Sequence, residues 1–330
     1  MSEANWDTLV NNLRDGSCVP FLGAGACVPA LPSGAELATE ILGRAKLKVP
    51  FPFDEHTNLA KVAQYIAAVS GDAPGVKRLV AEAIRDRAAT AKARGPAALP
   101  DLQRCLAELR LPIYLTTNYD DLLEHAFRDV SDVAPQSEIC RWSDDLLTVS
   151  SRFDDGKYEP SPKEPLIFHL HGRWTESNTG QNPSNLGRSG IVGYESMVVT
   201  EDDYLDFLVN VSREIAVSPS GREEKTALPL VLRKAIKSRP LFFVGYGLSD
   251  VNFLFILRAL IRTMQPHMRV QRVAVQIDPK TLPQGHNTGT YRRQVEQYFE
   301  WTYQVNVLWR SAEEVARALR SEFGLVSAAS

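Results

Sequence analysis

Five short polar clusters in this 330-residue chain carry residue types that could do chemistry. Gly23-Ala24-Gly25 ends the apolar run Val19-Pro20-Phe21-Leu22, and residues this small let the backbone approach a phosphate. Past Pro32, Ser33-Gly34-Ala35-Glu36-Leu37-Ala38 reads as the first turn of a helix with Ser33 as N-cap. A strand, a glycine turn and a helix form a diphosphate cradle. A plain strand-to-helix turn reads equally well, because the dinucleotide fingerprint G-x-G-x-x-G would need glycine at position 28, which is Val28. Thr116-Thr117-Asn118-Tyr119-Asp120-Asp121 offers a carboxamide and two carboxylates, and His169-Leu170-His171-Gly172 offers two imidazoles. Gly245-Tyr246-Gly247-Leu248-Ser249-Asp250 and Asp278 complete the set. An imidazole titrates near neutral pH and suits a general base. A carboxamide holds water or a hydroxyl without adding charge, and Asp120 suits orientation or stabilisation of developing positive charge.

Each cluster has an ordinary alternative. Asn118 or Asp120 can cap the following helix. His171 can be a satisfied rim histidine, and His169, one pleat step earlier, fits that description better. Ser249 or Asp250 can cap a helix, and Asp278 before Pro279 can open a turn.

What distinguishes the clusters is their position at the ends of predicted strands. Apolar runs at 18–22, 113–116, 166–170, 241–244, 273–277 and 305–308 read as strands. Helical spacing covers 6–14, 58–69, 76–94, 97–109, 120–127, 201–217, 228–237, 251–263 and 312–323. Residues 173–196 read as a long loop, and 326–330 as a frayed tail. Short strands apolar on both faces, alternating with helices, predict an α/β fold: a Rossmann-like parallel sheet with helices on both faces. In such sheets ligands bind at the carboxyl ends of strands, where the clusters would converge. The absence of a clean linker predicts one domain, with a helical insertion at about 50–110 forming a smaller subdomain and a loop-helix insertion at about 173–230.

Composition narrows the function. With 44% hydrophobic residues the chain can bury a full core. Its net charge of −3 gives no reason to expect direct sequence-specific nucleic-acid binding. No apolar stretch reaches membrane-spanning length, and Met1-Ser2-Glu3-Ala4-Asn5 has neither a basic nor an apolar leader region, so a cytoplasmic protein without membrane partners is expected. Cys18, Cys27, Cys105 and Cys140 form no C-x-x-C pair, so no metal site is expected.

Gly23-Ala24-Gly25, Thr117-Asn118-Tyr119-Asp120, His171-Gly172, Gly245-Tyr246-Gly247-Leu248-Ser249 and Gln276-Ile277-Asp278 occur in the order and spacing of sirtuin-like domains, which the chain resembles over roughly residues 15–280. Phe21-Leu22-Gly23-Ala24-Gly25, Thr117 to Glu124 and Thr200-Glu201-Asp202-Asp203-Tyr204 look most like the bacterial branch known for NAD-consuming antiviral defence. The resemblance implies that Gly23, Ala24 and Gly25 hold the NAD diphosphate. By the same match Asn118 and Asp120 line the nicotinamide-ribose pocket and His171 is the catalytic histidine. Gly245, Ser249 and Asp278 would follow the ribose and adenosine half, with Thr117 and Gly247 also counted as cofactor-binding. Cys27 is also counted as cofactor-binding, and it stands where the family commonly has serine, a better hydrogen-bond donor to phosphate.

Protein-deacylating sirtuins mostly carry a four-cysteine zinc module, whose spacing is missing here. The resemblance therefore implies NAD+ glycohydrolase activity, with water attacking and nicotinamide and ADP-ribose released, in an NAD-depleting effector of antiphage defence. A zinc-free NAD-dependent deacylase and a non-catalytic NAD or ADP-ribose sensor are the alternatives, and cyclisation of ADP-ribose stays open. A homo-oligomer is expected, with a HerA-type ATPase or a short prokaryotic Argonaute as family-level partners. Assembly or a partner would reposition the 173–230 insertion and open the site.

Overall fold

The computed structural model describes residues 3–47, 50–95, 98–174, 193–216, 226–247, 270–277 and 287–325, together with Leu254 and Arg258. Seven strands form one sheet: β1 (Val19–Leu22), β2 (Ile113–Thr116), β3 (Gln136–Ile139), β4 (Leu166–His169), β5 (Leu241–Val244), β6 (Arg272–Gln276) and β7 (Asn306–Trp309). Their spatial order is β3-β4-β2-β1-β5-β6-β7, and every pairing is parallel. The chain starts at the centre with β1, adds β2 beside it, goes to the edge as β3, returns to place β4 between β3 and β2, then crosses to β5 on the other side of β1. That reversal beside β1 is the switch point at which parallel sheets open a crevice.

Alternation along β1 shows why the strands are apolar throughout. Val19 and Phe21 enter a core with Trp142, Phe207 and Tyr246, while Cys18 and Leu22 enter a core on the opposite face with Leu106, Phe127 and Leu319. The second face is covered by α1 (Glu3–Arg14), α5 (Asp101–Leu109), α6 (Leu122–Val130) and α11 (Ala312–Phe323). The first face is covered by α7 (Asp144–Leu147), α8 (Glu201–Ala216), α9 (Leu230–Ser238) and α10 (Thr288–Tyr303). The Rossmann-like expectation therefore holds.

A third core belongs to the helices α2 (Gly34–Arg44), α3 (Leu59–Ser70) and α4 (Ala73–Ala93), and it also takes in Met197 and Val199. Ser33 starts α2 as the sequence suggests. Its Oγ accepts from the Glu36 amide at 3.3 Å while Glu36 Oε2 accepts from the Ser33 amide at 2.8 Å.

Several boundaries differ from the sequence reading. Helix α6 begins at Leu122 rather than 120, because Asp120 Oδ1 accepts from the Leu122 amide instead of continuing the helix. Strand β3 was not expected, since its residues are polar and half-buried at the sheet edge. Helix α10 was also missed, because its exposed face includes Tyr298 and Trp301 and blurs the apolar stripe. Most of the expected 173–196 loop, most of the 251–263 helix, and the 326–330 tail lie outside the described residues.

Candidate functional site

Register brings the clusters to one edge. Leu22 pairs with Thr116 and with Val244, and Thr116 pairs with His169. Gly23, Thr117 and Gly245 each follow one of these aligned residues, and His171 follows one residue further on.

The glycine turn is folded on itself. The amides of Gly23, Gly25, Ala26 and Cys27 donate to the carbonyls of Val244, Gly245, Gly23 and Ala24 at 2.9–3.0 Å. Ala24 is the residue of the turn whose amide is not used in these bonds. Gly245 has φ +86°, and a Cβ there would fall 2.5 Å from the Gly23 carbonyl and closer still to the Ala26 amide. Glycine at these positions is thus required by the close approach of two chain segments, whatever else they bind. Leu22 O is the hub of the same seam, accepting from the Thr117 amide at 3.0 Å, Thr116 Oγ1 at 3.2 Å and Tyr246 Oη at 2.9 Å.

Asn118 is fixed by its carboxamide nitrogen. Nδ2 donates to the Gly23 carbonyl at 3.2 Å and to Cys27 Sγ at 3.1 Å. Because a backbone carbonyl only accepts, the nitrogen must face it, and Oδ1 faces the other way. Cys27 is buried, accepts from Gln103 Nε2 at 3.1 Å, and its thiol lies 3.7 Å from Asp120 Oδ2. It supports Asn118 and Asp120 from within. Burial pushes the Asp120 carboxyl up to about 6; the Leu122 amide opposes this, and the charges of Asp121 and Glu124 add to it. The capping alternative for Asp120 is realised in its bond to Leu122.

His171 is 5% exposed and edge-on to Tyr204 and Phe207 of α8, at 5.0–5.1 Å between ring centroids. Its Nε2 has no hydrogen-bond partner among the described residues. Gly172, at φ +70°, packs so tightly on Ser196 that a Cβ would come 2.8 Å from Ser196 Oγ and closer to its carbonyl. Ser196 Oγ in turn accepts from the Arg173 amide at 3.2 Å, and Trp142 Nε1 donates to Ser196 O at 2.8 Å. The histidine therefore sits on a rigid turn. His169, by contrast, is fully buried between Asn118 O and Glu124, as its earlier pleat position suggests.

Burial pushes the His171 imidazole down to about 3, below the near-neutral value expected from sequence. The ring is neutral at pH 7 and can accept a proton, but only weakly while the pocket stays dry. A histidine with a depressed folded value contributes stability that is intact above about 6.5 and is lost as pH falls toward 3. Asp120 acts in the opposite sense, since its contribution is present below about 4 and is lost as pH rises through about 6. We expect His171→Ala to gain on the wild type by about 1 kcal/mol between pH 6.5 and 5.5, steepening toward about 1.4 kcal/mol per pH unit below that. Urea unfolding of both proteins at pH 6.5, 6.0 and 5.5 measures this, and a constant difference would refute a buried neutral ring.

Gly247 is exposed at the end of the described stretch, while Ser249 and Asp278 lie outside the described residues. A cleft of about 460 Å³ opens just after Cys27, between residues 28–32 and α2, with Glu36, Glu40 and Arg87 on its walls. It carries none of the strand-end groups. Glu124, Gln103 and Tyr246 support the site; Glu124 and Tyr246 lie inside the motifs named above without a role of their own, and nothing in the sequence marks Gln103. The position of Glu124 on a helix face is visible in sequence, but not that this face turns toward β4. The apolar side of α8 packs inward through Phe207 and Val211, while Leu205 is exposed. Among the described residues no group of three or more His, Cys, Asp or Glu could hold a metal ion, and no helix is long and apolar enough to cross a membrane.

Residues 112–300, more than half of the chain, match the family model described as a SIR2-like domain. The match takes in Asn118, Asp120, His171 and Gly245 and begins after the glycine turn, which the sheet register places beside them. No curated protein matches the chain.

Proposed function

The chain belongs to the SIR2-like domain family, which implies NAD binding and NAD-related activity in general, and we propose that it is an NAD+ glycohydrolase. The observation that carries the reading is the buried Nε2 of His171, without a partner among the described residues, at the same sheet edge as the fixed carboxamide of Asn118. A polar atom without a partner in a dry pocket is costly, and such atoms are found where a ligand supplies the partner. The residues fit NAD+ as substrate. The glycine turn admits a diphosphate at close range, with the Ala24 amide not used in the turn's own bonds, and Asn118 Oδ1 is left to accept from a ribose hydroxyl or from water. Gly23, Ala24, Gly25, Thr117, Gly245, Gly247, Ser249 and Asp278 are the proposed binding positions.

Nicotinamide departs neutral from a cationic ring, so its departure needs no general acid. Water attacks the oxocarbenium-like ribose carbon, and its proton passes to the neutral imidazole of His171 directly or by way of a ribose hydroxyl. Asn118 holds the attacking oxygen or the ribose. Asp120 carries the weight of a structural partner to Leu122 and Cys27, and when ionised it adds negative charge near the developing cation.

Nicotinamide release should proceed without any acylated peptide and should be unchanged by a chelator. Release that requires the peptide would favour the deacylase, and no release in any state would favour the sensor. The setting we attach is antiphage defence, with the protein acting as an oligomer or with a partner ATPase or Argonaute. Phage protection by the gene with its neighbours, lost in His171→Ala, tests it.

A further inference from the structure

Beneath the site lies a buried group of charges that the proposed reaction does not use. Glu124 of α6 and His169, the last residue of β4, are both buried. Glu124 Oε1 accepts from Ser137 Oγ at 2.7 Å and from His169 Nε2 at 3.0 Å, and it lies 3.1 Å from Arg173 Nη1. On the other side of the ring, His169 Nδ1 is 3.2 Å from the carbonyl oxygen of Asn118. Carboxylate and carbonyl oxygens only accept, so in a hydrogen bond to either one it is a ring nitrogen that donates. Burial pushes the Glu124 carboxyl up, but Arg173, His169 and Ser137 outweigh it and hold the group below the usual carboxylate range. A buried charge persists where its partners compensate it, and here they come from the edge strand β3 and from the end of β4 with the turn that follows it.

Each partner leads to a different part of the site. His169 leads to the Asn118 peptide, Arg173 directly follows His171-Gly172, and Ser137 belongs to the edge strand β3. We propose that Glu124 is a positioning residue: through His169 it ties the Asn118 peptide to the His171-Gly172-Arg173 turn, and so sets the carboxamide of Asn118 relative to the imidazole of His171. This rests on the reading of Asn118 and His171 as the residues that meet substrate. A buried ion cluster that only held the fold together would lower the amount of folded protein. A positioning cluster lowers the rate of folded protein through Asn118 alone.

The test is the rate of nicotinamide release against NAD+ concentration for the full chain, with near-UV circular dichroism to confirm folding. Glu124→Gln keeps the shape and removes the charge. It should lower kcat about tenfold or more with KM changed less than about threefold, since misplacement by an ångström costs up to about a hundredfold. Added to Asn118→Ala, the same change should cost less than about twofold, because the carboxamide to be positioned is gone. A full multiplicative loss in the double variant overturns the proposal.

A second pair covers the case in which Glu124→Gln does not fold. His169→Asn keeps a donor where Nδ1 stood, facing the Asn118 carbonyl, and His169→Gln keeps one where Nε2 stood, facing Glu124. Each variant breaks one link between Glu124 and the Asn118 peptide, so both should lower kcat about tenfold or more when folded, and wild-type kcat in either folded variant overturns the proposal. Undiminished release by Asn118→Ala overturns the site reading and the proposal with it, whereas a diminished rate with full additivity overturns the proposal alone.

Discussion

Alanine at His171 or at Asn118 is expected to lower nicotinamide release from NAD+ by about two orders of magnitude, the usual scale for a lost base or positioning group. The two losses have different causes. His171→Ala removes the neutral imidazole whose Nε2 has no protein partner among the described residues, so it breaks no described side-chain hydrogen bond. It also removes the destabilising burial of that polar atom, and the variant should remain folded although it leaves space beside Tyr204 and Phe207. Asn118→Ala removes two bonds, to Gly23 O and to Cys27 Sγ, but leaves the backbone bond from the Asn118 amide to Thr116 Oγ1 at 3.0 Å. Its turn should therefore persist. Steady-state release by folded variants is the measurement. A folded His171→Ala protein with wild-type turnover would sink the glycohydrolase assignment.

The second large effect is expected at Gly245. Alanine there meets two obstacles at once: a left-handed backbone at φ +86°, and overlap with the Gly23 carbonyl and the Ala26 amide. The combined cost is about 3 kcal/mol or more. Relief requires the Gly23–Ala26 turn to move, and that turn carries the carbonyl to which Asn118 is bound. Gly245→Ala should thus lower both the unfolding free energy and the turnover of whatever remains folded. Gly43 in α2 provides the contrast, since a Cβ there meets nothing within 4 Å. Gly43→Ala should gain about 0.5–1 kcal/mol from the stiffer helix and leave turnover unchanged. Denaturant unfolding of the two variants compares them directly, and similar stabilities would contradict the interlocked seam.

The central strands were legible because burial on both faces leaves a nearly unbroken apolar run, as in Leu241-Phe242-Phe243-Val244. The parallel arrangement followed from helices between the strands, and the start of α2 from the capping side chain of Ser33. Strand β3 was illegible because an edge strand buries little, and Gln136-Ser137-Glu138-Ile139 has no apolar alternation. Within the site, residue types at strand ends pointed to Asn118 and His171. The depressed proton affinity of His171 could not be foreseen, since it arises from Tyr204 and Phe207, which lie more than thirty residues along the chain and meet the ring only in the folded state. The tie from Glu124 to His169 was hidden for the same reason. Spacing fixes which face of a helix a residue occupies, but not what that face meets.

The seam around Leu22 O also has a consequence for how the protein is made. Its three donors come from Thr116, Thr117 and Tyr246, and β1 gains its second neighbour only when β5 pairs with it. During synthesis the first two-thirds of the chain can form the helical subdomain and half of the sheet, yet the turn at 23–26 lacks the Gly245 carbonyl that holds it. Contacts this distant in sequence form late, because closing the intervening loop opposes them until both partners are present. A ribosome-bound chain would thus reach residue 246 before it could hold a dinucleotide, and a truncated product would be inert. If the chain is the glycohydrolase we propose, which would consume a metabolite its own cell needs, the order of the strands keeps unfinished copies harmless.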